Sequence, residues 1–319
     1  MKALPILTLD SVYAKGLSRL SDAEFEVKSN ASSNGCVKQM PIDFSNLAAA
    51  DRESIAALLS RIGTANPTLE QLWGGMDRIW DDLGCDNRKI APEKLKQFYG
   101  HPIWLLNGLF IEQHALSIEH REGFARWVAS RNPRRVADFG GGYGTLARLI
   151  ASECRGAEIH VIEPHPHAAA LKKSACYSNL TFKSNFVGQY DVIIATDVFE
   201  HIQDPIAAVE KTSMHLKRGG CYVIANCFYP VIKCHLPHLF HFRHTWDYVM
   251  ASMNLKRVET VVYGAAYLKT RDVNATTARC VEAMSKIAFP VVQRVKAIRF
   301  ELGARRKAFR SYVNRQRIS

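Results

Sequence analysis

The sequence has no apolar run long enough to cross a bilayer; its longest apolar stretches are strand-sized, which excludes spanning helices. Its first sixteen residues hold two Lys and a short apolar stretch, but Asp10 interrupts it and no small-residue cleavage site follows, so no secretory leader is read there. A soluble, cytoplasmic protein is expected, with a peripheral position on the inner face of a membrane as one option for its tail. No C-x-x-C pair occurs among the eight cysteines (Cys36, Cys85, Cys154, Cys176, Cys221, Cys227, Cys234 and Cys280), which argues against a zinc knuckle or a redox dithiol. Those thiols are expected to be reduced and mostly buried. Repeats and low-complexity tracts are absent, and charged residues make up only 23% of the chain, against 47% hydrophobic. That composition excludes large-scale disorder and is ample for a core in a chain of 319 residues. Basic charge is concentrated in one place. Residues 280–319 contain ten Lys or Arg and two Glu, so +8 of the total charge of +12 sits in the tail and only +4 in the other 279 residues.

What is present falls into four stretches. Residues 1–50 are weakly patterned, with a loop at 29–35. Residues 51–130 read as helical: Ile55, Leu58, Leu59 and Ile62 share one face, further helices are expected over 68–83 and 93–98, and a helical pattern runs through 103–130. From Pro133 strands and helices alternate. Strands are expected at 135–139, 158–162, 180–182, 190–195 and 221–225, with helices at 144–152, 166–173 and 205–216 between them. A helix at 246–253 and strands at 257–262 and 265–269 follow, the last two suited to an antiparallel edge. Such alternation specifies a Rossmann-like α/β fold, a mostly parallel sheet with helices on both faces, over 131–275. Residues 276–319 form a basic amphipathic helical tail, with a break or kink expected at Pro290.

The sharpest motif is Asp138-Phe139-Gly140-Gly141-Gly142-Tyr143-Gly144, between a strand and a helix. Glycines there allow a tight turn and close approach of a ligand to the main chain. The spacing is G-x-G-x-G; the third glycine of a dinucleotide fingerprint would fall at Thr145, so pyrophosphate binding is disfavoured. Glu163 ends the second strand, 190–195 leads into Asp197-Val198-Phe199-Glu200-His201, and Lys217-Arg218-Gly219-Gly220 leads into another buried strand. Taken in this order, these features resemble the motif series of class I S-adenosylmethionine-dependent methyltransferases, over about 133–270, in particular their small-molecule branch. The resemblance implies that Asp138, Gly140, Gly142 and Gly144 line the methionine portion of S-adenosylmethionine and that Glu163 binds its ribose. It also implies that Asp197 and Val198 border the methyl-transfer site. Relatives usually carry an acidic residue after the third strand. Here 182–185 is Phe-Lys-Ser-Asn, which leaves Asn185 as the adenine contact.

The reaction implied is displacement at the sulfonium methyl group, accelerated by alignment of nucleophile and methyl carbon. A hydroxyl acceptor must also lose its proton, and His201 is the candidate base; the alternative is a local structural turn at Glu200-His201. Tyr99, His101, His114 and His120, ahead of the cofactor domain, are candidate acceptor contacts. The run 235–244, with His235, His238, His241 and His244, invites a metal reading, but Pro237 disfavours one regular helix and the spacing is not that of a zinc site. An acceptor wall through His238 and His241 is therefore expected, and no metal. The chain lacks a [DNS]-P-P-[FY] turn, a Pro-Cys nucleophile and a second loop glutamate, which disfavours nucleic-acid base and protein arginine methylation. The expectation is methyl transfer to a small-molecule, sugar or lipid-linked acceptor, with O- over N-methylation. RNA methylation through the basic tail and a non-catalytic S-adenosylmethionine-binding module are the rivals. In the tail, Met284, Ile287, Val291, Val295, Ile298 and Leu302 recur at helical intervals. That stripe is expected to pack on the body or on a second subunit, or to lie on an anionic membrane surface.

Overall fold

The computed structural model describes residues 42–44 and 47–316; the loop at 29–35 and most of the N-terminal segment lie outside the described residues. Five helices come first: α1 (Ala49–Ile62), α2 (Leu69–Asp82), α3 (Pro92–Tyr99), α4 (Ile103–Ile111) and α5 (Ala115–Ser130). The start of α2 is fixed by a capping box, in which Thr68 Oγ1 accepts from Gln71 N and the Gln71 side chain accepts from Thr68 N. Its apolar face (Leu72, Met76, Ile79 and Trp80) packs with Ile55, Leu58 and Leu59 of α1 and with Phe98, Ile103 and Leu106 into one core. The single helical pattern expected over 103–130 is two helices. The chain turns between them at Glu112-Gln113-His114, where the Glu112 carboxylate leaves the helical run to pair with Arg148 and Lys173.

The rest is a seven-stranded sheet with flanking helices: β1 (Arg135–Phe139), α6 (Thr145–Glu153), β2 (Glu158–Ile162), α7 (Ala168–Ser174), β3 (Leu180–Lys183), β4 (Tyr190–Thr196), α8 (Pro205–Ser213), β5 (Leu216–Ala225), α9 (Trp246–Ser252), β6 (Leu255–Val261) and β7 (Gly264–Lys269). Strand order is β3-β2-β1-β4-β5-β7-β6; the first five run parallel and β7 is antiparallel to both neighbours. The Rossmann-like reading therefore holds, including the antiparallel edge. The central strands carry apolar side chains on both faces. Ala137, Ile193 and Ile224 enter one core, and Val136, Val161, Ile194 and Val223 enter the other. This two-sided burial is why their sequences read as continuous apolar runs. Successive strands depart from β1 in opposite directions, β2 to one side and β4 to the other, which opens a crevice at the carboxyl ends of those two strands.

Two boundaries differ from expectation. The strand expected at 221–225 begins at Leu216, because Leu216 pairs with Tyr190 across a register shift and the helix before it stops at Ser213. The last helix, α10 (Thr276–Gln316), continues through Pro290 without a break. Lys286, whose carbonyl loses a helical partner there, is exposed, as is Pro290, so water can satisfy that carbonyl. Seven cysteines are described, all free. Cys154 and Cys234 are buried, Cys176 and Cys280 are exposed and three lie between, so burial is less general than expected.

Candidate active site

The glycine turn joins β1 to α6, and Gly140, Gly142 and Gly144 have φ of 69°, 52° and 75°. Each therefore sits in the left-handed region where a side chain is strained, which explains the alternate-glycine spacing. Their surroundings differ. A Cβ on Gly140 would stand 2.8 Å from Val198 Cγ2, whereas one on Gly142 would meet only a backbone oxygen at 4.0 Å. From the helical section, Gly108 of α4 lets that helix rest on the turn, since a Cβ there would lie 2.6 Å from Tyr143 Cβ.

Four strand ends face one another across the crevice. Asp138 near the end of β1 is 1% exposed, and neither carboxylate oxygen has a hydrogen-bond partner among the described residues. Burial raises its pKa to about 7, against the opposing pull of Arg121, while the nearby Glu163 pushes the same way as burial. Glu163 follows β2; its backbone N–H donates to Lys183 O (3.0 Å) and its Oε1 accepts from His165 N (3.3 Å). Asp197 follows β4 with φ of 55°, and its Oδ2 accepts from the Tyr263 hydroxyl at 2.8 Å. Its surface is open, yet the walls of the crevice surround it and raise its pKa. Asn226 follows β5, and among the described residues neither of its side-chain polar atoms has a hydrogen-bond partner. Asn185, after β3, is exposed and touches only Ser184 Oγ at 3.4 Å.

Beyond Asp197 a short turn, Phe199–His201, places His201 against the helical section. Its Nδ1 hydrogen-bonds to Cys234 O (3.2 Å), so that nitrogen carries the proton and Nε2 keeps a lone pair. The ring lies edge-on to Tyr99 (6.2 Å between centroids), Trp104 (6.3 Å) and His235 (4.9 Å). Burial first, and then the facing His235, lower the His201 pKa to about 3. His235 shares the arrangement: Nδ1 bonds Tyr229 O at 2.7 Å, and burial lowers its pKa to about 4. Behind them Glu200 is fully buried. Its Oε1 accepts from Cys227 N at 2.7 Å, Oε2 has no partner, and burial, then Asp197, raise its pKa to about 8. One oxygen of Glu200 and one ring nitrogen of each histidine lie within 4.8 Å of one another, a donor set that could hold a metal ion.

The acceptor contacts named from sequence divide. Tyr99 faces His201, and His120 packs on Tyr263 (5.0 Å), the partner of Asp197. His101 instead uses Nδ1 to accept from Ile103 N (3.1 Å) at the start of α4, and lines a depression of about 280 Å³ with Arg61 and Ile79, none of whose lining residues belongs to the glycine turn. His114 stacks on Phe110 and bonds Ser117 Oγ at 2.8 Å. His238 is exposed and bonds Gln203 O (2.9 Å), and His241 is buried against Ser285 of α10 (2.9 Å). The histidine run therefore does not form one wall. His235 joins the His201 cluster, His238 is exposed, and His241 and His244 face α10, the last three set on a 3-10 helix over Pro237–His244 rather than a regular α-helix or a strand. Missed from sequence were Trp104, His235, Asn226 and Tyr263. Only His235 carried a signal, within the histidine run.

Residues 137–222 match the model of the family described as a methyltransferase domain. That stretch, about a quarter of the chain, is similar to methyltransferase domains. Among solved structures the chain is similar to an O-methyltransferase from a trans-AT polyketide synthase multienzyme of Brevibacillus brevis in complex with S-adenosylhomocysteine: 20% identity, 38% of this chain, 43% of that one, TM-score 0.31. It is similar also to a phosphoethanolamine N-methyltransferase of Haemonchus contortus in complex with S-adenosylmethionine: 26% identity, 28% and 24% of the two chains, TM-score 0.26. A methyltransferase of Aquifex aeolicus gives 14% identity, 46% and 89% coverage and TM-score 0.36. The chain spans less than half the length of the first two. No curated protein matches it.

The crevice suits S-adenosylmethionine. A buried carboxylate suits the methionine ammonium, Glu163 suits ribose hydroxyls, and the space beside Gly142, where a Cβ would meet only a backbone oxygen at 4.0 Å, is open to a ligand. A pH dependence follows. Ammonium binding needs Asp138 ionised, and with a pKa of about 7 the ionised fraction rises from about 0.1 at pH 6 to about 0.9 at pH 8. Affinity for S-adenosylhomocysteine is expected to climb about tenfold over that window, with a proton released on binding below pH 7. Titration calorimetry checks this, and Asp138→Asn should flatten the slope.

Proposed function

We propose that the protein transfers the methyl group of S-adenosylmethionine to a hydroxyl of a small-molecule acceptor, a sugar or lipid-linked precursor included. The acceptor would sit between the helical section and the carboxyl edge of the sheet, with Asn185 near the adenine and Tyr99 and His120 among its walls. The observation that carries the reading is His201, a neutral imidazole with Nδ1 tied to a backbone carbonyl, ringed by Tyr99, Trp104 and His235 beside the Asp197 strand end.

The hydroxyl oxygen attacks the methyl carbon as the carbon–sulfur bond breaks, and S-adenosylhomocysteine leaves with the bonding pair. As the new bond forms, the oxygen gains positive charge and its proton becomes strongly acidic. The Nε2 lone pair of His201 accepts that proton in the same transition state and later passes it to solvent. A weak base can take so acidified a proton, which reconciles the role with a pKa of about 3. Glu200, with a pKa of about 8, holds its proton at neutral pH, so the cluster presents no competing negative charge. Val198, against Gly140, closes the crevice beneath the reacting methyl group.

The test supplies methyl-labelled S-adenosylmethionine with panels of hydroxylated and amine-bearing small molecules and sugars. Label in a methyl ether product is the expected result. Transfer into amines alone would overturn the hydroxyl assignment, and transfer into RNA alone would overturn the small-molecule one.

A further inference from the structure

The helix α10 has two apolar faces, and the body uses only one. Ala278, Val281, Ser285, Phe289 and Gln293, spaced three or four apart, turn toward the sheet domain. Ala278 and Val281 enter its core, Ser285 Oγ bonds His241 and Thr245 (2.9 and 2.6 Å), Phe289 lies under the Arg243 guanidinium (4.9 Å), and Gln293 Nε2 approaches His244 (3.4 Å). The stripe singled out in the sequence is the opposite one. Met284, Ile287, Val291, Val295 and Ile298 are 70%, 78%, 62%, 43% and 57% exposed. It therefore does not pack on the body as expected.

We propose that this outer stripe docks on an anionic lipid surface, with the helix lying flat in the interface. Charge selects this occupant. Residues 285–319 hold ten Lys or Arg and one acidic residue, Glu301, and the same apolar spacing recurs in the sequence at Leu302, Phe309 and Val313. Arg294 and Arg299, both exposed, flank the stripe on either side, where basic side chains can reach headgroups while the apolar row enters the acyl boundary. A second copy of the helix is the poorer partner, because pairing two such stripes would set two uncompensated basic rows beside each other. Spanning is not the mode: among the described residues no helix is long and apolar enough to cross a membrane.

The test is co-sedimentation of the full chain with vesicles of phosphatidylcholine alone or with a third phosphatidylserine, at low and high salt. Binding is expected only to the anionic vesicles, at least tenfold stronger at low salt. The double variant Ile287→Asp/Val291→Asp changes only exposed positions, so its thermal unfolding should match the parent while vesicle binding is lost. Three results would overturn the proposal: full-length protein left in the supernatant at low salt; undiminished vesicle binding by a folded double variant; or a dimer in solution that the variant converts to monomer, which would assign the stripe to a second copy.

Discussion

Replacing His201 with Ala is expected to lower turnover by roughly 10²–10⁴-fold, with affinity for S-adenosylhomocysteine essentially unchanged. The ring contributes in two ways that the truncation removes together: a lone pair fixed by the Nδ1 bond to Cys234 O, and an edge-on contact that orders Tyr99 and Trp104. His201→Phe separates them, since a phenyl ring keeps the edge-on contact without a basic nitrogen; it should resemble Ala in turnover. Steady-state kinetics with a hydroxyl acceptor reads the effect. Turnover within a few fold of the parent would reduce the residue to a structural turn and favour an amine acceptor. A different pattern, in which His235→Ala is as damaging as His201→Ala and a chelator abolishes turnover, would mean that Glu200, His201 and His235 act by holding a cation.

Glu163→Ala should weaken S-adenosylhomocysteine by roughly 1–3 kcal/mol, a factor of about 5–150, if Glu163 binds the ribose as proposed, because the carboxylate that would accept from its hydroxyls is lost. Gly140→Val should do as much or more. Its φ of 69° strains any side chain, and the Cβ would already press on Val198 at 2.8 Å. Gly142→Val serves as the comparison, strained in the backbone but meeting no protein atom closer than 4.0 Å, so what it disturbs beyond that strain is the bound cofactor itself. Calorimetry on the three variants decides the site. Parental affinity in both Glu163→Ala and Gly140→Val would remove the cofactor from this crevice.

Sheet and cofactor turn were legible because local chemistry dictates them. Val192, Ile193 and Ile194 bury on both sheet faces and so read as an unbroken apolar run, and three left-handed backbone positions leave glycine as the residue that fits. The acceptor side was not legible, because its members are brought together by contacts over long sequence distances. Trp104 reaches His201 across almost a hundred residues, and Tyr263 reaches Asp197 from a turn between two edge strands. The histidine run misled for a related reason. Spacing suggested one surface, but His235, ahead of the 3-10 helix, turns inward to His201, and the 3-10 path sends His241 toward Ser285. The tail was half legible: the stripe was evident, but which of two apolar faces the body would take depends on where α9 and the 3-10 segment present their side chains.

Glu112, which splits the expected long helix, couples two parts of the chain that composition separates. Its carboxylate, 13% exposed, meets the Arg148 guanidinium, 6% exposed, and the Lys173 ammonium, and so ties the end of α4 to both helices that follow the cofactor strands. Were the helical section removed or melted alone, Arg148 would keep its place between Tyr143 O and Ser174 Oγ but lose its countercharge in a nearly dry setting. Thermal denaturation should for that reason be one cooperative event, and a fragment beginning at the first strand would inherit an unneutralised cation in its interior. A cofactor that orders the glycine turn then tightens, through Tyr143 and Gly108, the same helices that wall the acceptor space.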